Sequence, residues 1–145
     1  AMDDISDFLV ASGTSLERYC PSWPEKLPCP EPPVYLFKIS SWSWINRAVD
    51  DVRQAVLSGP VPCTMKIYDD FTFYESGVYE HVTGPFNLSH AALIVGWDLY
   101  PPEGVPCFIV KNSFGRSWGE EGFFRIGFSQ VTNEVHFGDG VFLVL

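Results

Sequence analysis

Two side chains with complementary chemistry stand beside apolar runs of the chain. His90 precedes the apolar residues 91–97, and Asn112 ends a second apolar run, residues 106–112. An imidazole can take up and release a proton near neutral pH, and a carboxamide can hold the ring in one orientation. The pair therefore predicts a general base and its orienting group, two members of a catalytic triad that also needs a nucleophile.

Each candidate also has a structural interpretation. A single histidine at a strand start is more often structural than catalytic, and Asn112 alone could cap a turn. Aromatic residues between glycine-bearing turns are usually buried for their area, so Phe114 and Trp118 could belong to the core. Other polar residues lack motif context: we interpret His81 and His136 as surface or strand histidines, and Asp69-Asp70 and Glu120-Glu121 as solvated turns.

Composition limits the class of protein. The 145 residues are 46% hydrophobic and 16% aromatic, enough for a single domain with a real core. A net charge of −9 without a clustered basic stretch argues against a nucleic-acid partner. The apolar runs fall well short of the roughly 20 residues that a membrane helix needs, and the N-terminus does not resemble a signal peptide. We therefore expect neither nucleic acid nor membrane as a partner.

The cysteines and histidines lack the paired short spacing of zinc sites, so we predict no metal and no cofactor. Cys20 and Cys29 lie in a proline-rich stretch, a setting that suits disulfides in a secreted or lysosomal protein. Cys63 and Cys107 stand inside apolar, strand-like runs and should be buried. The disulfide connectivity remains open.

Helical and extended patterns alternate in the first half of the chain. Residues 3–12 have apolar side chains at helical spacing and Gly13 beyond them, so they predict a short amphipathic helix. Residues 19–33 carry too many prolines for a regular ladder, and residues 34–39 read as a strand. Residues 50–58, with acidic residues first and Gly59 after, predict a second helix that leads into a strand at residues 60–68.

Strands dominate the remainder. Residues 70–79 form an aromatic-rich hairpin or loop, and strands are predicted at residues 90–99, 106–112, 122–128 and 140–145. Helices in the first part of the chain, followed by antiparallel strands, predict an α+β fold dominated by a β-barrel or strongly twisted sheet. Because the sequence has neither an internal repeat nor a linker, we expect residues 1–145 to form one domain.

A series of short motifs, taken in their order along the chain, resembles the C-terminal part of the papain-like cysteine peptidases. The motifs are Gly59-Pro60-Val61, Tyr68-Asp69-Asp70-Phe71, Ser76-Gly77-Val78-Tyr79, Ser89-His90-Ala91, Val95-Gly96-Trp97, Lys111-Asn112-Ser113-Phe114-Gly115, Ser117-Trp118-Gly119-Glu120 and Gly122-Phe123-Phe124-Arg125-Ile126. The resemblance runs from about residue 3 onward and is densest over residues 59–126. Each motif is weak alone, but the series is specific.

The resemblance implies roles for individual residues. His90 would be the general base and the ion-pair partner of a cysteine thiolate, and Asn112 would orient its ring. Phe114 and Trp118 would shield that contact from water. The residues that would bind substrate are Thr64, Leu88, Ser89 and Ala91. Of these, Thr64, Leu88 and Ala91 would line the pocket for the second substrate side chain before the scissile peptide bond.

The chain also departs from the family pattern. The family nucleophile lies in a Cys-Gly-Ser-Cys-Trp segment after an oxyanion-hole glutamine, and these 145 residues contain neither. Cys20-Pro21-Ser22-Trp23 is only superficially similar, because Pro21 and Pro24 do not suit the helix that should begin there. Phe114 replaces the usual tryptophan, and Cys63-Thr64 replaces small aliphatic residues.

Three interpretations follow. The first is a cysteine peptidase portion whose Cys-bearing N-terminal lobe is a separate polypeptide released by processing, with peptides or proteins as substrate and a lysosomal or secreted location. The second is an inactive, peptidase-derived module that binds peptides or regulates. The third is a structural or inhibitor-like domain. We favour the first, which predicts an exposed apolar face around His90 and an incompletely packed helix at residues 3–12.

Overall fold

The computed structural model of the chain describes residues 2–14, 36–46, 48–131 and 139–144. The described helices are α1 (Met2–Ala11), α2 (Val49–Val56), α3 (Asp69–Thr72) and a 3-10 helix at Phe128–Val131. The described strands are β1 (Ser41–Trp44), β2 (Val61–Tyr68), β3 (Val78–Tyr79), β4 (Phe86–Asp98), β5 (Cys107–Lys111), β6 (Phe123–Gly127) and β7 (Asp139–Val144). The proline-rich residues 19–33, with Cys20 and Cys29, and His136 lie outside the described residues.

The chain forms two compact units, Ala1–Ser43 with Leu143–Leu145, and Trp44–Phe142. In the first unit the predicted N-terminal helix is confirmed as α1, and Gly13 follows it at a φ of 78°. A Cβ on Gly13 would stand 2.6 Å from the Phe37 carbonyl oxygen, so only glycine fits there. The strand predicted at residues 34–39 is wrong for its described part, where only Phe37 forms a bridge, with Thr14.

In the second unit, α2 and β2 follow the sequence pattern. α2 carries Asp50 and Asp51 in its first turn and buries Val52 and Val56, while Gly59 lies just beyond its end. β2 alternates buried and half-buried residues from Val61 onward, as expected of a strand with one face in the core. The second helix and the strand after it are therefore confirmed.

The sheet of the second unit runs in the order β7-β2-β4-β5-β6-β3. The 13-residue β4 is its longest strand and pairs antiparallel with both β2 and β5. The four strands predicted after residue 86 are confirmed as β4, β5, β6 and β7, although β4 begins at Phe86 rather than His90. Few helices around a largely antiparallel sheet confirm the α+β class.

The structure departs from the prediction for residues 70–79 in two ways. The segment predicted as an aromatic hairpin or loop begins with the short helix α3, whose Phe71 is fully buried. The two-residue β3 then pairs parallel with β6, with Val78 opposite Arg125, so the sheet is mixed. A strand pair so distant in sequence cannot be read from local alternation.

The core of the second unit lies between α2, α3 and one face of the sheet. Its buried members are Val52, Val56, Val61, Cys63, Met65, Ile67, Tyr68, Phe71, Tyr74, Tyr79, Ile94, Phe108, Val110, Phe124 and Ile126. Cys63 and Cys107 are both buried, as predicted. None of the described helices is long and apolar enough to cross a membrane.

Candidate active site

The two candidate catalytic side chains meet in the structure. His90 lies in β4 opposite Met65 of β2, and Asn112 follows the last residue of β5. Leu93 of β4 pairs with Lys111 of β5, so Asn112 lies near the part of β4 that carries His90. His90 Nε2 is 2.8 Å from Asn112 Oδ1. The pairing of three strands thus places an imidazole and a carboxamide in direct contact.

The carboxamide of Asn112 is held from more than one side. Its Oδ1 also accepts a hydrogen bond of 2.7 Å from the backbone N–H of Ser113, and the backbone N–H of Asn112 donates to the Gly122 carbonyl oxygen at 2.9 Å. Asn112 is only 8% exposed. Its Nδ2 is buried without a hydrogen-bond partner among the described residues. Two donors on one oxygen fix the amide orientation.

This orientation determines which nitrogen of His90 carries the proton in the neutral ring. A carboxamide oxygen only accepts hydrogen bonds, so Nε2 must donate to it. Nδ1 is then left as the acceptor, and it has no hydrogen-bond partner among the described residues. The imidazole can therefore take a proton on Nδ1 while Asn112 holds the other side of the ring.

A group of aromatic rings lies next to His90. The Phe114 ring lies 5.1 Å from the His90 ring between centroids, and Trp118 lies 5.3 Å from Phe114. The fully buried Phe71 stands 6.3 Å from both His90 and Phe114. Phe114 therefore lies beside His90 and Trp118 beside Phe114, while their role as a shield stays a prediction. Phe71 was missed, because its contact partners are 19 and 43 residues further along the chain.

Trp118 lies in a tight turn that ends at Gly122. The Gly122 amide donates to the Trp118 carbonyl oxygen at 2.8 Å, and the Trp118 indole donates to the Thr72 carbonyl oxygen of α3 at 3.1 Å. Gly119 has a φ of 57°, and a Cβ there would meet the Phe123 carbonyl oxygen at 2.6 Å. The glycine after Trp118 is thus required by the close approach of backbone.

Glu120, predicted to be a solvated turn residue, instead belongs to an ion-pair network. Arg125 Nη2 lies 2.8 Å from Glu120 Oε1, and Arg125 Nη1 lies 2.7 Å from Glu103 Oε2. The Arg125 guanidinium lowers the pKa of both carboxyl groups. Glu120 also accepts from the Gly77 amide at 3.0 Å. Glu121 is exposed, as predicted.

Asp70 and His81, also predicted to be surface residues, form a second polar cluster. His81 Nδ1 lies 3.0 Å from Asp70 Oδ2, which also accepts from the amides of Val82 and Thr83 at 2.9 and 3.1 Å. Tyr79 donates its hydroxyl to Asp70 Oδ1 at 2.8 Å. Burial raises the pKa of the Asp70 carboxyl, but these four donors outweigh burial and lower the pKa to about 2.

The predicted substrate-binding residues lie on β2 and β4, near His90. Thr64 and Ala91 are directly opposite each other, so their side chains share one face of the strand pair. Leu88, which is 45% exposed, alternates onto the same face as His90. Ser89 pairs with Lys66 and is exposed. The structure therefore brings Thr64 and Ala91 together but places Leu88 on the other face.

The described residues contain no group of three or more His, Cys, Asp or Glu side chains that could hold a metal ion. Within this α+β fold an imidazole and a carboxamide are in direct contact, with an aromatic ring beside the imidazole. The sequence profile of the papain family of cysteine proteases matches residues 29–142, and the chain belongs to that family.

Similar proteins agree with this assignment. The chain is 36% identical over 124 residues to a cathepsin B-like protein, CP1, of Giardia intestinalis, covering 81% of the chain and 40% of the relative. It is 38% identical over 90 residues to a gut-specific cysteine proteinase of Caenorhabditis elegans, covering 62% of the chain and 27% of that protein. The chain thus spans less than half the length of these curated relatives.

Solved structures show the same fold. The digestive procathepsin L2 proteinase of Tenebrio molitor larval midgut superposes with a TM-score of 0.79 at 26% identity, covering 99% of this chain and 47% of that one. The procathepsin B S9 of Trypanosoma congolense superposes with a TM-score of 0.77 at 24% identity, covering 96% of this chain and 51% of that one. The fold is papain-like.

Proposed function

We propose that the chain supplies the catalytic His90 and Asn112 to a cysteine peptidase whose nucleophilic Cys lies on a separate polypeptide. The observation that carries the proposal is the 2.8 Å hydrogen bond from His90 Nε2 to Asn112 Oδ1, which leaves Nδ1 as the acceptor. A structural histidine does not need an orienting amide locked by a second donor and covered by aromatic rings.

The residues present account for the proton transfers of peptide hydrolysis. His90 Nδ1 takes the proton of the partner's thiol, and the resulting imidazolium stabilises the thiolate. The thiolate attacks the peptide carbonyl carbon, and His90 returns the proton to the leaving amine. His90 then takes a proton from water, which cleaves the thioester and releases the acid. Asn112 keeps the His90 ring in place throughout. Phe114 and Trp118 exclude water from the contact between His90 and Asn112.

Two features support a Cys-bearing partner lobe. The sequence contains no glutamine followed by a Cys-Gly-Ser-Cys-Trp segment, which supports a nucleophile outside these residues. Ile5 and Phe8 of α1 are 59% and 58% exposed, which is unusual for the apolar positions of an amphipathic helix. Phe114, beside His90, is 41% exposed. A second lobe would bury such surfaces.

We further propose that the enzyme acts on peptides or proteins in a lysosomal or secreted compartment and matures from a zymogen. The similarity to a gut-specific cysteine proteinase, and to a digestive proteinase solved as its proform, supports this location and maturation. Thr64, Leu88, Ser89 and Ala91 would contact the substrate. A disulfide in the Cys20 and Cys29 region is expected in such a compartment.

The test uses the native preparation and an epoxide that alkylates activated peptidase thiols, with intact-mass analysis. We expect one label on a second polypeptide. In the assembled enzyme, His90→Ala should abolish peptide hydrolysis, while Asn112→Ala should lower it by less, since the base remains. Asn46→Ala, at an exposed asparagine, is the matched control and should leave the rate unchanged.

Other outcomes would contradict the proposal in distinct ways. A label on Cys20 or Cys63 would place the nucleophile in this chain. Equal losses from His90→Ala and Asn112→Ala would mean that Asn112 does more than orient the ring. If the experiment finds no label and no second polypeptide, the result would favour the peptidase-derived module that binds peptides without cleaving them.

A further inference from the structure

The segment that leads into His90 carries a motif that the proposed catalysis does not use. Asn87-Leu88-Ser89 is the only Asn-x-Ser/Thr triplet in the sequence, and its middle residue is not proline. Such a triplet is the acceptor of N-linked oligosaccharides in proteins that enter a secretory compartment. A single triplet can arise by chance, so its structural setting decides its significance.

Asn87 lies at an irregularity of β4. On β2, Ile67 and Tyr68 are consecutive, but their partners on β4 are Leu88 and Phe86. Asn87 is therefore the extra residue of a β-bulge and has no residue opposite it. A bulge turns a side chain away from the regular ladder, and Asn87 is exposed. The position has room for a bulky substituent.

The fold gives the Asn87 side chain no evident structural role. Its Nδ2 makes a single contact, 3.5 Å from Oδ1 of Asp69, which is also exposed. That distance is at the outer limit of a hydrogen bond and contributes little in water. Asparagine is disfavoured in strands, so packing and propensity do not account for it. The amide nitrogen is accessible and replaceable.

We propose that Asn87 is an N-glycosylation site that carries one oligosaccharide on Nδ2. In the transfer, Nδ2 bonds to the anomeric carbon of a polyprenyl-pyrophosphate-linked oligosaccharide. The bond from that carbon to the pyrophosphate oxygen breaks, the polyprenyl pyrophosphate leaves, and one amide proton is lost to a base. No electrons are exchanged with an oxidant or reductant. The site rests on the secretory location given under the proposed function.

The glycan would flank the active site without entering it. Asn87 is three residues before His90, about 10 Å along an extended strand. The neighbouring Phe86 is 53% exposed, and its ring packs edge-on against Tyr68 with 6.0 Å between centroids. A sugar on Asn87 would cover this exposed aromatic residue. The contact between His90 and Asn112 lies further along the strand.

The first experiment follows glycan transfer to the nascent chain, which does not depend on folding. The chain is placed behind a cleavable signal peptide and translated with microsomes, and its mobility is compared before and after treatment with peptide N-glycosidase. We expect one enzyme-sensitive shift in the natural sequence. Asn87→Gln should remove the shift, and Ser89→Thr, which preserves the triplet, should keep it. Asn46→Gln is the control and should keep it as well.

The second experiment tests the mature protein. The full-length precursor is expressed in a eukaryotic secretory host, and the secreted product is deglycosylated in heavy-oxygen water, which leaves a labelled aspartate at position 87. An unmodified Asn87 in the secreted protein would overturn the proposal, and so would an absent shift in both the natural sequence and Ser89→Thr. Both readouts are independent of peptidase activity, which is measured separately. A failure of the glycosylation proposal can therefore be distinguished from a failure of the peptidase proposal.

Discussion

The hydrogen bond between His90 and Asn112 owes its strength to its surroundings. Oδ1 of Asn112 receives two donors, and the Phe114 ring covers the imidazole. Hydrogen bonds are stronger where water is excluded and the local dielectric is low. The same residues in an open loop would exchange this contact with solvent. The aromatic cover is therefore as much a part of the site as the polar pair.

Removing the cover tests this argument. We expect Phe114→Ala to speed solvent exchange of the His90 Nε2 proton about tenfold, since an aromatic contact contributes roughly 0.5–1.5 kcal/mol and 1.4 kcal/mol is a factor of ten. Phe114→Trp should preserve slow exchange. NMR of this chain measures the rate. Phe73→Ala is the matched control, because Phe73 is 82% exposed. Equal exchange in Phe114→Ala and the natural chain would contradict the shield.

At the residue scale, the expected contact between His90 and Asn112 is present, while their catalytic roles stay a prediction. His90 and Asn112 each carry their context in the adjacent residues, so their contact could be anticipated. Asp70 and Glu120 could not be understood in that way, because their partners lie up to 13 and 43 residues away. Local sequence described both as exposed turns. Only the tertiary fold shows that each organises several donors.

At the scale of elements, α3 connects the two sides of the site. Its Phe71 packs towards the His90 ring, and its Asp70 binds the loop after β3. That loop leads into β4, which carries His90. The Thr72 carbonyl oxygen also accepts the Trp118 indole proton. A helix of four residues thus fixes the shield and the start of the catalytic strand together.

The Asp70 cluster gives a prediction about stability and pH. Asp70→Asn removes the charge from four hydrogen bonds, and we expect a loss of about 1.5–3 kcal/mol in the free energy of unfolding near pH 7. Because folding lowers the pKa of Asp70 to about 2, its contribution is full above the unfolded-state value of about 3.9. The contribution is lost as the pH falls through about 2.

Urea denaturation at several pH values measures this difference. Asp70→Asn and the natural chain should differ at pH 7 and at pH 4.5, and should converge near pH 2. Asp51→Asn, at an exposed position in the first turn of α2, is the matched control and should change stability by less than about 0.5 kcal/mol. A difference that persists unchanged at pH 2 would show that shape, rather than charge, explains the effect.

Element prediction followed the strength of the local pattern. α1, α2 and β2 were predicted because alternation or helical spacing runs for eight residues or more. α3 is four residues long and β3 is two, too short for any period to be visible. The parallel pairing of β3 with β6 depends on a partner 47 residues away. Tertiary packing decided these elements.

At the scale of the whole molecule, apolar side chains remain uncovered on a chain that spans less than half the length of its relatives. The amphipathic helix α1 exposes Ile5 and Phe8, while Ser6 on the same helix is buried. A helix that presents its apolar residues to water is costly unless another surface covers them. The composition predicted a core, but only the structure shows which surfaces that core leaves open.

The last prediction concerns association with the proposed Cys-bearing lobe. Ile5 and Phe8 are a little over half exposed, and covering each would contribute about 1 kcal/mol. We expect the double variant Ile5→Ser with Phe8→Ser to bind the partner polypeptide roughly 30-fold more weakly, since about 2 kcal/mol is a factor of that size. Sedimentation of the mixed chains measures the dissociation constant.

The control separates a docking role from a general loss of apolar surface. Leu57, at the end of α2, is 66% exposed, so Leu57→Ser removes a similar side chain from another surface and should leave the dissociation constant unchanged. The isolated double variant should unfold at nearly the same urea concentration as the natural chain, because its substituted side chains are already in water. Unchanged binding by the double variant would mean that α1 is not where the second lobe docks. Equal weakening by Leu57→Ser would show that the loss reflects apolar surface in general.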